Sequence, residues 1–229
     1  MKRRLNEMST LLKFFGTGMR RFHQTASLVP SSRFLVRALL EALPLAHARC
    51  VVELGPGVGT VTKELLARLP PDAHVHAIEL DASLLEEMGR GLHDDRLRAI
   101  HGSATDAAAL VRHDGCRLGA DVVISSLGLS MMPTPMREEV LGAVSDLLLP
   151  GGKFVQYQYA HSRAMSFQPG EGFHAFDGPQ FLSRWFNEIE TSFVTLNVPP
   201  AFVYTCSGAR ALAPRSTRPK PRLRLVGTR

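Results

Sequence analysis

The 229 residues predict an α/β fold: a seven-stranded, mostly parallel sheet, helices on both faces and a C-terminal antiparallel hairpin. Three observations carry that expectation. Strand-like and helix-like segments alternate from Asp72 onward. A glycine-rich turn, Gly55-Pro56-Gly57-Val58-Gly59, follows the apolar run Cys50–Leu54 and leads into a helical periodicity. The last two strand-like runs are joined by Val198-Pro199-Pro200, most simply as a hairpin.

In chain order, Cys50–Leu54 reads as a buried strand and Val61–Leu69 as a helix. His74–Glu79 is the second strand, Ala82–Leu92 a helix, Leu97–His101 the third strand and Asp121–Ser126 the fourth. Pro135–Leu149 makes a helix that Pro150-Gly151-Gly152 stops, and Lys153–Tyr159 is the fifth strand. Pro179–Phe186 is a helix, and Ser192–Asn197 and Ala201–Cys206 are the closing strands. The expected organisation is an amphipathic helical segment over 1–45, a catalytic domain over 46–207 and a basic, disordered tail over 208–229. Cys50, Cys116 and Cys206 are an odd number, far apart, with no CxxC pair, so neither a disulfide framework nor a zinc site is expected, and the compartment reads as reducing. No run approaches the roughly 20 apolar residues of a membrane-spanning helix.

The net charge of +6 is uneven. Residues 1–23 carry six Lys or Arg against Glu7, residues 210–229 carry seven with no acid, and the body between is net acidic. Basic ends suit an anionic partner, lipid or nucleic acid, while the body does not resemble a nucleic-acid binder.

A strand that enters a glycine turn and leaves as a helix presents backbone N–H groups to a ligand. A phosphate-cradling loop needs Gly-Lys-Ser/Thr, and Gly59-Thr60-Val61 lacks the lysine. A dinucleotide fingerprint needs GxGxxG, whereas Gly55, Gly57 and Gly59 make GxGxG. Glu53 decides between ligands: an acid there repels a pyrophosphate and suits a ligand with an ammonium and a sulfonium, S-adenosylmethionine. Glu53-x-Gly55-x-Gly57-x-Gly59 resembles motif I of the class I methyltransferases, which implies their Rossmann-like fold. That resemblance implies a ribose-holding carboxylate at Glu79, with Leu80 beside it in the cofactor site, and an adenine acceptor at Asp106 in "GSATD".

The glycine motif is also similar to that of the rRNA adenine dimethylases. Those enzymes place an Asn/Asp-x-Pro-Tyr motif after the fourth strand, and here Ser125-Ser126-Leu127-Gly128-Leu129-Ser130 has neither Pro nor an aromatic to stack a flipped base. At the N-terminus Leu5, Met8, Leu11, Leu12, Phe15, Met19 and Phe22 share one helical face flanked by basic residues. Such a helix suits an anionic membrane surface; packing on the domain's own core or a mitochondrial transit peptide are the other readings.

The segments "LVPSSRFLVRALLEAL", "VVELGPGVGTVT", "AIELD", "ISSLGLSMMP", "LLPGGKFVQYQYA" and "LNVPPAFVYTC" together resemble the bacterial phospholipid N-methyltransferases, over most of residues 10–207. The resemblance implies methylation of the phosphatidylethanolamine amine toward phosphatidylcholine, by a peripheral enzyme on the inner face of the cytoplasmic membrane. Close relatives methylate ornithine lipids, which is the alternative; an rRNA or protein amine methyltransferase and a non-catalytic protein of the same fold are others. The family usually reads Ser-x-Leu-Pro after strand four, where this chain has Ser126-Leu127-Gly128.

Methyl transfer needs a neutral amine, and freeing the lone pair of an alkylammonium at pH 7 costs about 4 kcal/mol. Candidate catalytic groups at the ends of strands four and five are Ser125, which is also a candidate cofactor contact, Tyr157 and Tyr159. Strand alternation sets both tyrosines on one face, where they can flank a cationic head group. Arg33, Tyr159 and His161 are the candidate lipid contacts, and no metal is expected.

Overall fold

The computed structural model describes residues 32–116, 118–168 and 172–210; the N-terminal amphipathic helix and nearly all of the basic tail lie outside them. Seven strands form one sheet in the order β3-β2-β1-β4-β5-β9-β8. These are β1 (Cys50–Leu54), β2 (His74–Glu79), β3 (Leu97–His101), β4 (Ala120–Ser125), β5 (Leu148–Tyr159), β8 (Phe186–Val194) and β9 (Ala201–Ala209). β1 to β5 are parallel, and β9 runs antiparallel to both β5 and β8, as expected for the hairpin. The order reverses between β1 and β4, so a crevice opens at the carboxyl ends of these two strands, where α/β sheets bind ligands.

The alternation of apolar side chains builds one core layer on each sheet face. On one face Val52, Leu54, Ile78, Val123 and Phe154 pack under α4 (Ala107–His113) and α5 (Thr134–Leu147). On the other, Val51, Val75, Val122, Ile124 and Val155 pack under α1 (Arg33–Glu41) and α2 (Thr60–Leu66). α1 begins where Ser32 Oγ accepts the Leu35 N–H at 3.3 Å, a side-chain cap for an otherwise orphaned donor. It lies within the segment read as amphipathic, and its apolar face, Leu35, Val36, Leu39 and Leu40, is buried in the domain's own core. Among the described residues no helix is long and apolar enough to cross a membrane.

Several local features differ from the sequence reading: β8, read as Ser192–Asn197, runs Phe186–Val194, and the helix read as Pro179–Phe186 is Gly178–Leu182. α4 was not expected, because "AAALVRH" is short and rich in alanine; three of its residues are buried against the sheet. β5 starts at Leu148 rather than Lys153, with a register shift opposite Ala120 and Val122, so Pro150-Gly151-Gly152 forms a bulge inside the strand. A second, two-stranded sheet, β6 (Ser166–Gln168) and β7 (Gly172–His174), follows β5 after the short helix α6 (His161–Ala164). Its Ser166 Oγ donates to the Ser130 carbonyl at 2.9 Å, which ties it to the loop after β4. One expectation is overturned outright. Cys50 and Cys116, 66 residues apart, are joined as a disulfide, and the buried Cys206 is free. The spacing concealed this because only the parallel pairing of β1 with β4 carries the α4–β4 loop back to the start of β1.

α1 roofs the sheet through fully buried side chains, so truncating Leu39 leaves a cavity rather than a dent. Leu39→Ala is expected to lower unfolding free energy by about 2–5 kcal/mol in urea denaturation. The exposed Arg37→Ala should change it by less than about 0.5 kcal/mol.

Candidate active site

Glu53 is the next-to-last residue of β1, whose residues are all buried, and it is fully sealed from solvent. One carboxylate oxygen, Oε2, accepts from Thr62 Oγ1 at 2.7 Å; the other, Oε1, is buried without a partner. Burial pushes the Glu53 carboxyl up to about 7, against the Thr62 hydrogen bond that lowers it and with the Glu79 charge that raises it further.

Glu79 closes β2 beside this group. Its Oε2 accepts the Gly57 N–H at 3.1 Å and its Oε1 the Asp81 N–H at 3.0 Å, so one carboxylate ties the glycine turn to the end of β2. Each oxygen keeps a second lone pair, which suits ribose hydroxyls. The turn itself demands glycine. Gly55 has φ +73 and a Cβ there would lie 2.6 Å from Leu127 Cδ2; Gly59 has φ +88 and would meet Met88 Cγ and Leu92 Cδ1 at 2.7 Å. Val58 and Leu80, both partly exposed, stand on the turn and just after β2, and the Leu80 carbonyl accepts from His101 Nε2 at 3.0 Å.

These groups fit a methyl donor that carries an ammonium, a ribose and a flat base. The orphaned Glu53 oxygen offers an acceptor to the cation, Glu79 to the hydroxyls, and Val58 and Leu80 apolar walls. Asp106 differs from the other expected cofactor residues. It is largely solvent-facing at the start of α4, and its carboxyl is pushed up first by what burial it has and then by Glu139 of α5.

The residues expected to contact the substrate lie at or near the carboxyl ends of β4 and β5. Ser125 is buried, its Oγ 3.4 Å from the Leu127 N–H. Tyr157 and Tyr159 do share a face: their rings meet edge to face at 5.4 Å, and Tyr159 stacks on His161 at 5.8 Å. Burial raises both phenols well above their usual range. They are therefore neutral at physiological pH and serve as aromatic surfaces and donors, not as bases. Arg33 is exposed at the first turn of α1 with its guanidinium 4.9 Å over the Phe34 ring. The Ser32 N–H donates to Asn197 Oδ1 at 3.3 Å and the Ala160 N–H to the Pro200 carbonyl at 2.8 Å, which brings Arg33 to the same end of the sheet as Tyr159.

Two residues were missed. Thr62 orients Glu53, and nothing in its apolar helical surroundings flags it. Gln156 pairs in register with Ser125, donates Nε2 to the Leu127 carbonyl at 2.9 Å, and keeps Oε1 buried without a partner. The available signal was a polar side chain in the middle of an otherwise buried strand. Gly128, the departure from Ser-x-Leu-Pro, has φ −76, a value proline also adopts, so the loop does not depend on glycine there.

The chain matches the family model described as a methyltransferase domain over residues 51–152. It is 30% identical over 209 residues to the ornithine lipid N-methyltransferase of Singulisphaera acidiphila, covering 89% of this chain and 98% of that one. Ribosomal RNA small subunit methyltransferase A of Thiobacillus denitrificans is 39% identical over 70 residues, only 26% of its length. Among solved structures, the 1,6-didemethyltoxoflavin-N1-methyltransferase of Burkholderia thailandensis, with S-adenosylhomocysteine bound, superposes at a TM-score of 0.63 over 90% of both chains at 16% identity. The N-methyltransferase NodS of Bradyrhizobium japonicum does so at 0.58 over 84% of this chain and 97% of that one, at 12% identity.

The raised Glu53 carboxyl has a pH consequence. The folded protein keeps a proton that the unfolded chain releases near 4.5, so this contribution to stability is intact below about pH 4.5 and lost as pH rises through about 7. Without cofactor the loss amounts to about 3 kcal/mol. Glu53→Gln should therefore unfold at a higher temperature than wild type at pH 8, yet bind S-adenosylmethionine about 10–100-fold more weakly by calorimetry. Wild-type affinity should rise between pH 6 and 8, and that of the variant should stay flat. By its length of similarity to the lipid N-methyltransferase and its methyltransferase domain, the chain belongs to the class I S-adenosylmethionine-dependent methyltransferases, in the family of the Singulisphaera acidiphila enzyme.

Proposed function

We propose that the protein methylates the primary amine of an ornithine-type lipid at a membrane surface. The observation that carries this reading is the aromatic run Tyr157–Tyr159–His161 at the carboxyl end of β5. The relative named for ornithine lipid supports that head group ahead of phosphatidylethanolamine. An ornithine head group carries a free amine and a carboxylate. The ring faces attract the ammonium, and the Arg33 guanidinium suits the carboxylate.

S-Adenosylmethionine supplies an electrophilic methyl group. The rest of the work falls on the chain's own residues. Tyr157 and Tyr159 are neutral phenols, so the amine proton leaves to water before transfer, helped by desolvation of the ammonium against the rings. Alignment of the freed lone pair supplies the remaining rate enhancement, since a well-oriented pair needs no strong base. The basic amphipathic N-terminus, outside the described residues, would hold the enzyme on anionic lipid as a peripheral protein, at about 1 kcal/mol per Lys or Arg near the surface.

The test is radiolabelled S-adenosylmethionine with vesicles that contain either ornithine lipid or phosphatidylethanolamine. Label in mono-, di- or trimethylated ornithine lipid is expected. Label only in phosphatidylethanolamine derivatives would restore the phosphatidylcholine reading, and label in neither lipid would overturn a lipid amine substrate. Within that assay Tyr159→Ala should lower kcat/KM about 5–30-fold, the value of a cation over a desolvated ring, while Tyr159→Phe stays near wild type. Gly128→Pro should retain activity, because the backbone at that position already has a proline-compatible φ.

A further inference from the structure

At the amino ends of β1, β2 and β4, away from the cofactor carboxylates, three potential ligands converge. Cys50 opens β1, His76 lies in β2 on the same sheet face, and Cys116 sits in the loop between α4 and β4. The two sulfurs and a ring nitrogen of His76 all lie within 4.8 Å of one another. Cys50 and His76 are buried and Cys116 is half-buried. Parallel pairing sets Cys50 beside His74 and Val52 beside His76, so neither strand can slide the cluster apart without breaking the sheet.

The surroundings of His76 match a ligand rather than a filler of the core. Its Nδ1 is 2.9 Å from Asp114 Oδ2, at the C-terminal cap of α4. In the tautomer whose Nδ1–H donates to Asp114, Nε2 carries the lone pair that a cation needs. A carboxylate behind a histidine is the usual outer partner of a metal-bound imidazole. The Cys116 N–H donates to the Val111 carbonyl at 3.2 Å, and Asp121 Oδ2 accepts the N–H groups of Arg49 and Cys50 at 2.7 and 2.9 Å, so the segments that carry both cysteines are pinned by further hydrogen bonds.

We propose that, once reduced, Cys50 and Cys116 together with His76 form a binding site for a thiophilic divalent cation of the zinc type, and that the disulfide is the metal-free state of the same site. In a tetrahedral zinc site, bonds of about 2.3 Å to sulfur and 2.0–2.1 Å to nitrogen set the donors about 3.4–3.8 Å apart. The three donors of the present cluster already lie within 4.8 Å of one another. The reaction balances in two steps. A thiol or phosphine reductant gives two electrons to the disulfide and is itself oxidised; the cation then displaces one proton from each thiol. Two thiolates neutralise the dication, and a neutral imidazole and one water complete four-coordination, so the buried site carries no net charge of its own.

The test uses the untagged full-length protein, reduced with a phosphine or left oxidised, incubated with Zn²⁺, desalted and assayed for metal by mass spectrometry. One equivalent of zinc is expected in the reduced protein and none in the oxidised. Co²⁺ in its place should give sulfur-to-cobalt charge-transfer absorption with tetrahedral d–d bands. Cys116→Ser, a change in a half-buried loop, should abolish both signals while circular dichroism stays native. Cys206→Ser should leave both signals intact, since that thiol is buried in β9, and Asp114→Asn should weaken affinity about 10–100-fold. Reduced protein that retains no more zinc than oxidised protein would overturn the proposal. So would a Cys116→Ser variant that still binds one equivalent.

Discussion

A carboxylate buried in the core at the end of the central strand is the constraint around which the catalytic end of this molecule is arranged. Glu53 sits on β1 fully sealed from solvent, between Val52 and Leu54 in sequence, and an unpaired carboxylate in such a place is costly. The fold contains that cost with one hydroxyl, Thr62, from the first helix after the turn, and leaves the second oxygen for a ligand. The Thr62 position follows from α2, α2 from the glycine turn, and the turn from Glu79, whose two oxygens hold backbone N–H groups on either side of it. A cation that reaches Glu53 thus meets an acceptor already fixed in place, and its arrival removes the reason for the carboxyl to hold a proton.

The substrate end uses a different economy. The phenols of Tyr157 and Tyr159 are raised by burial, so neither acts as a base at neutral pH. What β5 offers is geometry: two rings and an imidazole in succession on one face, and an amide oxygen left over on the other. The antiparallel β9 completes this edge. Tyr204 donates to Gln158 Oε1, which fixes the strand that carries the rings, and the Asn197 turn clasps the start of α1. Chemistry and packing therefore share the same hydrogen bonds here, and loosening the hairpin would blur the site before it unfolded the domain.

Most of the parallel sheet was legible because alternation and glycine placement depend on local sequence. Strands β1, β2 and β3 fall on their expected residues, and the turn with Glu53 and Glu79 follows from them. What was not legible depends on tertiary pairing. Helix α4 has too few large apolar residues to announce itself, yet alanines suffice where it lies close to the sheet. The bulge in β5 looks like a helix stop and a strand start, because proline and glycine mark both. Gln156 and Thr62 are polar residues whose value appears only when their partners are known. The disulfide between Cys50 and Cys116 is the plainest case: it needs β1 next to β4, a neighbour relation no spacing along the chain encodes.

The sheet thus has two polar ends with separate duties. At the carboxyl ends, backbone N–H groups and carboxylates face a crevice that must open and refill at each turnover. At the amino ends, Cys50, His76, Cys116 and Asp114 close on one another, with the α4–β4 loop drawn in against β1 and β2. β1 is only five residues long, about 13 Å from its first to its last Cα, so any change that splays the amino end is transmitted along a strand that also carries Glu53. A cross-link or a cation at that end would keep β1 in register with β2 and β4 while the crevice opens. Cys50 and Cys116 thus bear, through β1, on the strand that positions Glu53.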